Sequence, residues 1–269
     1  MEPHCFPWAG DRCPGMPMPD VAPMLAEPVA ELPAIGAYGF EAKWDGFCCL
    51  LSRTAGGLVY LHSCRGTSLT AAFGDIAAVA EHDLPEEVLF DGELVIWHDG
   101  RLDFGRLQRL LNRKAVTVGH EIVQSPAHYV AFDLLCRAGE DLAELAYEQR
   151  RNRLESLFEE WGLAPPWALC PMVVDREETQ RWMQEWAAVG IEGIVAKNLR
   201  RPYKTGARGW RKVRTRHTTE AIIAAVTGTL ARPDSVLLAR LDERRQMRFV
   251  GRSTPLTHRL SQDLAAQVG

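Results

Sequence analysis

A chain of 269 residues with 46% hydrophobic and 25% charged residues can bury a substantial core as one large domain or two unequal ones. No apolar run reaches membrane-span length, and the proline-broken start lacks the basic-then-apolar order of a signal peptide, so a cytoplasmic protein with no membrane partner is expected. The formal net charge of −4 excludes a uniformly positive surface but not a local one. The seven cysteines show no CxxC spacing, and no histidine pair has zinc-ligand separation, so reduced, mostly packing thiols are expected.

Eight prolines lie between Pro3 and Pro33, which excludes long regular structure there. Residues 1–22 are read as a disordered or loosely packed segment, and Met24–Pro33 as an extended lead-in lying on the first domain. Strands are predicted over Tyr38–Lys43, Phe47–Arg53 and Leu58–Ser63, with Gly56-Gly57 turning a hairpin. A helix fits Ala71–His82, and a long strand fits Leu89–Trp97, closed by an Asp99-Gly100 turn. Asp103–Leu111 has helical spacing, Tyr129–Leu135 reads as a short buried strand, and Tyr147–Trp161 as an amphipathic helix with Leu154, Leu157 and Phe158 on one face. A helix over Glu177–Val189 precedes strands at Gly193–Ala196 and Trp210–Val213. After Thr218 the pattern changes to three short strands, around Ala221–Val226, Val236–Leu241 and Met247–Gly251, and a helical tail over Leu256–Val268. The domains expected are therefore 1–22, 23–216 and 217–269.

Only five of the 31 Lys and Arg residues are lysine, and Lys43 stands out among them in EAKWDGF. Arginine replaces lysine as a charge but not as a nucleophile, because only an ammonium is readily brought to its neutral form. Alternate residues of an extended stretch share a face, so Glu41, Lys43 and Asp45 project together, away from Ala42 and Trp44. An ordinary ion pair is the plainer reading of that cluster. The same parity puts Asp91 and Glu93 opposite Leu94 and Ile96, and acids on so apolar a strand need a metal, a sugar hydroxyl or a cation. EGIVAKN supplies Glu192 and Lys197, while Trp210, Lys212 and Arg214 share a face of GWRKVR. Arg200 to Arg216 carries eight basic residues and no acid, threaded by Tyr203 and Trp210. A solvated face is the plain reading; the interleaved aromatics favour a phosphate-facing strip. Carboxylates for a divalent ion, cations for phosphates and a lysine nucleophile together describe nucleotidyl transfer.

EAKWDGF, DGELVIW, FDLL, EGIVAK and GWRKVR occur in the order, and at roughly the spacing, of the motifs of ATP-dependent DNA ligases of the covalent nucleotidyltransferase superfamily. The chain resembles bacterial members of the repair type from Pro23 onward. The resemblance implies an α+β fold, an ATP-grasp-like adenylation domain of antiparallel sheets with flanking helices, followed by a partial OB-fold barrel. It implies ATP and Mg²⁺ (or Mn²⁺) as cofactors, nicked duplex DNA and a repair end-binding protein as partners, and a monomer at the bacterial nucleoid. Residue by residue, it makes Lys43 the nucleophile on the α-phosphate of ATP. Glu41 would lie beside the adenine, Phe132 would stack on it, and Asp45 would belong with the nucleotide-binding residues. Glu93 would hold ribose or metal, Glu192 the metal, and Lys197, Lys212 and Arg214 the phosphates. Arg65, Arg208, Arg211 and Arg216 would face DNA. An RNA ligase, a capping-type nucleotidyltransferase and a degenerate nick-binding module are the alternatives.

Departures from the motifs qualify this. Family ligases carry arginine where Cys48 stands, five positions after the nucleophile, and again where Cys64 stands in Ser63-Cys64-Arg65-Gly66. Arg65 is the expected partial substitute for Cys64, while nothing nearby replaces Cys48, Arg53 lying within a strand's length of it. Charged hydrogen bonds of that kind are worth ~1.5 to 3 kcal/mol each, or roughly ten- to a hundredfold in rate. Adjacent Cys48 and Cys49 face opposite sides of a strand and are not a disulfide pair. Arg214 stands where a second motif lysine is usual. The residues after Thr218 suffice for about three of the five strands of an OB barrel.

Overall fold

The computed structural model describes residues 22–111, 126–215, 220–242 and 244–268. Expectations for residues 1–21, Lys114 and Arg216 lie outside the described residues. The chain divides into two compact units, Met1–Thr215 and Arg216–Gly269. No helix among the described residues is long and apolar enough to cross a membrane.

In the first unit β1 (Leu25–Pro28), β2 (Tyr38–Lys43), β3 (Phe47–Arg53) and β4 (Val59–Ser63) lead to α1 (Gly74–Asp83). Then come β5 (Val88–His98), β6 (Arg101–Leu102), α2 (Phe104–Leu111), β7 (Ala127–Arg137), β8 (Glu140–Asp141) and α3 (Tyr147–Glu160). β9 (Trp167–Leu169), β10 (Met172–Val173), α4 (Arg176–Glu185), β11 (Gly193–Asn198) and β12 (Arg208–Arg214) complete it. The strands form two sheets, one ordered β1-β12-β11-β2-β10 and the other β4-β3-β5-β7-β8, with β6 added to β5 and β9 to β7. β1 is the expected lead-in, and it joins the first sheet as a parallel edge against β12. The mixed α+β architecture of mostly antiparallel sheets with few helices is the one the motifs implied.

Several elements differ in extent from expectation, β7, α4 and α1 among them. β7 runs eleven residues rather than seven because both of its ends find partners, in β5, β8 and β9. α4 stops at Glu185, and the chain tightens into a 3₁₀ turn over Trp186–Val189 that ends at left-handed Gly190. α1 begins at Gly74 rather than Ala71, without a side-chain cap.

The largest core lies on the second sheet, where Leu51, Leu61, Phe90, Leu94 and Tyr129 meet Phe73 and Ile76 near α1 and Leu154 and Leu157 of α3. Helix α3 is tied to β7 by a fully buried fork, Arg150 Nε and Nη2 donating to both oxygens of Asp133 at 2.8 and 2.9 Å. On the first sheet, Phe40, Ile194, Ala196 and Val213 pack with Trp182 and Met183 of α4. The opposite face of that sheet carries Glu41, Lys43, Lys197, Trp210 and Lys212, by strand parity.

The second unit is an antiparallel meander of β13 (Ile222–Thr229), β14 (Arg232–Leu241) and β15 (Met247–Arg252), with α5 (His258–Val268) against β14.

Candidate active site

The chain leaves the first sheet at Lys43, the last residue of β2, and enters the second at Phe47. The nucleophile candidate therefore sits where the backbone crosses between sheets. Gly46 makes the crossing possible: a Cβ there would lie 2.2 Å from the Leu94 carbonyl oxygen, and its N–H donates to Glu93 Oε1 at 3.1 Å. Gly193, opposite both Lys43 and Arg214, has φ of +148° and leaves no room for a Cβ, which would lie 2.0 Å from the Val213 carbonyl oxygen. These two glycines bring β2, β5, β11 and β12 close enough for their polar side chains to share one space.

Lys43 Nζ donates to Glu192 Oε2 and to the Trp44 carbonyl at 3.3 Å. Glu192 is fixed by its backbone, its N–H donating to the Lys43 carbonyl at 2.9 Å and its carbonyl accepting from Thr215 at 2.9 Å. Arg214 Nη2 reaches the same carboxylate at 3.5 Å. Burial pushes Lys212 below the ordinary lysine range, and the positive charges of Lys43, Arg214 and Arg208 push it further. Burial and the neighbouring Glu192 charge raise Asp45, against the pull of Lys43 and Arg214. Burial drives Glu93 up to about 8, with Lys43 opposing and Asp91 reinforcing. Six of the sequence-predicted residues, Lys43, Asp45, Glu93, Glu192, Lys212 and Arg214, are thus gathered into one electrostatic neighbourhood.

Glu41 and Lys197 lie deeper. Lys197 Nζ donates to Glu41 Oε2 at 2.7 Å and to the Phe132 carbonyl at 2.8 Å. It stands 4.3 to 4.8 Å from the ring centroids of Trp210, Phe132 and Tyr147. Glu41 also accepts from the Tyr147 hydroxyl and faces Arg151 Nη1 at 3.6 Å. Phe132 is half-buried, edge-on to Trp210 at 5.7 Å.

The basic strip divides. Tyr203 and Trp210, whose interleaving favoured a phosphate-facing strip, are buried: Tyr203 donates to Asp91 Oδ2 at 2.6 Å and accepts the Met24 N–H at 2.7 Å. Arg211 points away from Lys212, over the Tyr38 ring and toward Glu27 at 3.9 Å. Arg208 is exposed on the Lys212 face, and Arg65 is exposed in the turn after β4. Arg53 does not replace the cation missing at Cys48, because its Nη1 is bonded to the Leu84 carbonyl at 2.6 Å.

Sequence reasoning missed Arg150, Arg151, Tyr147 and Asp133, which build the floor under Glu41 and Phe132. Arg150 could have been found: it shares a helical face with Leu154 and Leu157, and an apolar-facing arginine calls for a buried acid such as Asp133. Also missed was the contact between Cys48 and Cys64. That hydrogen bond lowers Cys64 to about 6 and, with burial, drives Cys48 well up.

Such an arrangement can hold a polyphosphate against an amine, with cations on one side and carboxylates on the other. The chain belongs to the ATP-dependent DNA ligase domain family, whose sequence pattern matches residues 23–214. DNA ligase C2 of Mycolicibacterium smegmatis is 34% identical over 207 residues, covering 77% of this chain and 57% of the relative. The multifunctional non-homologous end joining protein LigD of Pseudomonas aeruginosa is 32% identical over 245 residues, covering 88% of this chain and 28% of that one. A solved structure of mycobacterial DNA ligase D complexed with ATP and MES superposes with a TM-score of 0.61 at 25% identity, covering 91% of this chain and 75% of that chain. The chain thus spans little more than half of one curated relative and under a third of the other.

Proposed function

We propose that the chain carries the nucleotidyl-transfer centre of an ATP-dependent DNA ligase that seals 5′-phosphate/3′-hydroxyl nicks during repair. The observation that carries this reading is the Lys43 amine at the sheet crossing, held by Glu192 and faced by Lys212 and Arg214. An ion-paired ammonium has no free lone pair, so attack requires Glu192 to release Lys43 and the amine to lose a proton. The Lys43 nitrogen then attacks the α-phosphorus of ATP, pyrophosphate leaves, and AMP remains on Lys43 as a phosphoramidate. Transfer of AMP to the 5′-phosphate at a nick activates it for attack by the 3′-hydroxyl, which expels AMP. Lys212 and Arg214 balance the charge that builds on the phosphate oxygens.

Asp45 and Glu192 suit a magnesium ion: two hard oxygen donors, near enough that the Glu192 charge adds to burial in raising Asp45, want a shared cation. No cluster of three protein ligands occurs among the described residues, which suits an ion that takes one or two carboxylates and completes its shell with water and phosphate. When bound, such an ion would neutralise the departing pyrophosphate. Glu93, raised to about 8, suits a sugar hydroxyl as it stands; holding metal would first require loss of its proton. Phe132 is assigned to the adenine ring, with Glu41 beside it. Lys197 would have to leave its aromatic cage to touch a phosphate, so we assign it to holding Phe132 and Glu41 in position. Arg65 and Arg208 are assigned to the DNA backbone, and the second unit to the opening strands of an OB-fold barrel. The end-joining protein among the relatives supports a repair setting with an end-binding partner.

Incubation with Mg²⁺ and α-labelled ATP, followed by denaturing electrophoresis, tests this. A labelled band that Lys43→Ala loses is the expected result. Cys48 and Cys64, in place of two family arginines, favour one other reading, a nick-binding module without catalysis. Retention of nicked duplex with no covalent label would establish that reading and overturn ours.

A further inference from the structure

The β3–β4 ladder pairs Leu50 with His62 and ends at Cys49 with Ser63, so Cys48 and Cys64 are the residues that flank its last rung, Cys64 opening the turn after β4. The rung they flank holds the strands roughly 4.5 to 5.5 Å apart, and a disulfide bridges Cα atoms about 4.4 to 6.8 Å apart. Their thiols are near enough to perturb one another, a shared hydrogen bond raising Cys48 and lowering Cys64. Both are free thiols, Cys64 exposed and Cys48 half-buried. Neither is used for packing: Cys49, not its neighbour, belongs to the apolar core. Nor do they belong to a three-ligand metal cluster among the described residues.

We propose that Cys48 and Cys64 form a reversible oxidation site, joined as an intrachain disulfide by a peroxide and reopened by a dithiol. Cys64 is the attacking sulfur, because it is exposed and the hydrogen bond it accepts favours its thiolate. It attacks one oxygen of hydrogen peroxide; the O–O bond breaks, leaving a sulfenic acid on Cys64 and a hydroxide that takes up a proton to become water. The Cys48 sulfur then attacks the Cys64 sulfur, the S–O bond breaks, and the hydroxyl leaves as water with the Cys48 proton. Two thiols supply two electrons, and one peroxide becomes two waters. A dithiol reductant returns both thiols and leaves as its own disulfide. Reversible disulfides of this kind are the ones found in reducing compartments. The chemistry is independent of nucleotidyl transfer and stands whether or not the chain takes a label from ATP.

The test is peroxide treatment of the full chain, alkylation of remaining thiols, tryptic digestion without reduction, and mass spectrometry. Trypsin cuts after Lys43, Arg53 and Arg65, separating the two cysteines onto different peptides. Expected is a joined pair of those peptides, two hydrogens lighter than their sum, with fragmentation placing the link on Cys48, and its loss after dithiothreitol. Cys48→Ser should instead leave a Cys64 sulfenic acid that dimedone traps. The proposal is overturned if both thiols of the wild type remain alkylated, if the link falls on Cys49, or if Cys64 proceeds to sulfinic acid with no joined peptide.

Discussion

Lys43 and Lys197 lie on neighbouring strands of one sheet, face the same way, and each bonds a glutamate supplied by the other strand or its approach. The surroundings separate them. The Lys43 and Glu192 side chains are 18% and 30% exposed, whereas those of Lys197 and Glu41 are 1% and 2% exposed. The outer pair is open to exchange with an incoming ligand. The inner pair is sealed by three aromatic rings and a backbone carbonyl, so opening it would strand charge in a dry interior. Under the function proposed above, burial divides identical chemistry into a reactive amine and a scaffold.

The largest effect should come from Lys43→Arg, which keeps the charge and removes the nucleophile. Labelling by ATP should vanish, while denaturant stability changes by only about 0 to 1 kcal/mol, as for a partly solvated pair. Residual label would mean that another residue accepts AMP. Lys197→Met should invert that pattern. Leaving Glu41 buried without its cation should cost about 3 to 5 kcal/mol in urea or guanidinium unfolding, and the double variant Lys197→Met/Glu41→Gln should recover much of it. If the single variant unfolds like the wild type, the inner pair is not the scaffold described. A smaller effect is expected at Lys212, one charged contact to phosphate: Lys212→Ala should slow lysyl-AMP formation about ten- to a hundredfold at unchanged stability, and Arg214→Ala less. Single-turnover labelling rates would resolve the two.

Much of the outer site was legible because it lies on strands, where parity assigns faces: Lys43, Glu93 and Lys212 needed only that rule and the motif order, and Glu192, just before β11, the motif order alone. The inner site was less legible because its cage is assembled from β2, β7, α3, β11 and β12, and no spacing along the chain reveals that Tyr147 and Arg151 of a surface-patterned helix meet Glu41. Tyr203 and Trp210 misled for a related reason. Their basic neighbours marked the segment as solvent-facing, yet the middle of the strand is covered, burying Trp210 against Phe132 and Tyr203, while Arg208 and Arg214 at its two ends stay exposed on the same face. The nearness of Cys48 and Cys64 was within reach, since the Gly56-Gly57 hairpin sets a register whose last rung, Cys49 with Ser63, they flank. The lengthened β7 was not, because its extension depends on strands distant in sequence.

The two regions should also separate by pH, because each contains a carboxyl whose proton burial retains. Glu93, on the Lys43 side, is raised to about 8, and Asp91, which accepts from Tyr203 and feels Asp133 and Lys197 on the sealed side, is raised to about 7. A carboxyl whose folded value exceeds its unfolded one binds its proton more tightly when folded. Its contribution is therefore fully present below the unfolded values near ~4 and is lost as pH rises through the folded value. Each such group tilts stability by at most about 1.4 kcal/mol per pH unit within its window. Both should act up to about pH 7, and Glu93 alone from there to about 8. Glu93→Gln should accordingly flatten the fall in unfolding free energy above neutrality and leave the Asp91 part below it. An undiminished slope between pH 7 and 8 in that variant would show that the outer carboxyl is solvated in the ligand-free protein, and would remove the reason for giving it a sugar hydroxyl in place of a metal.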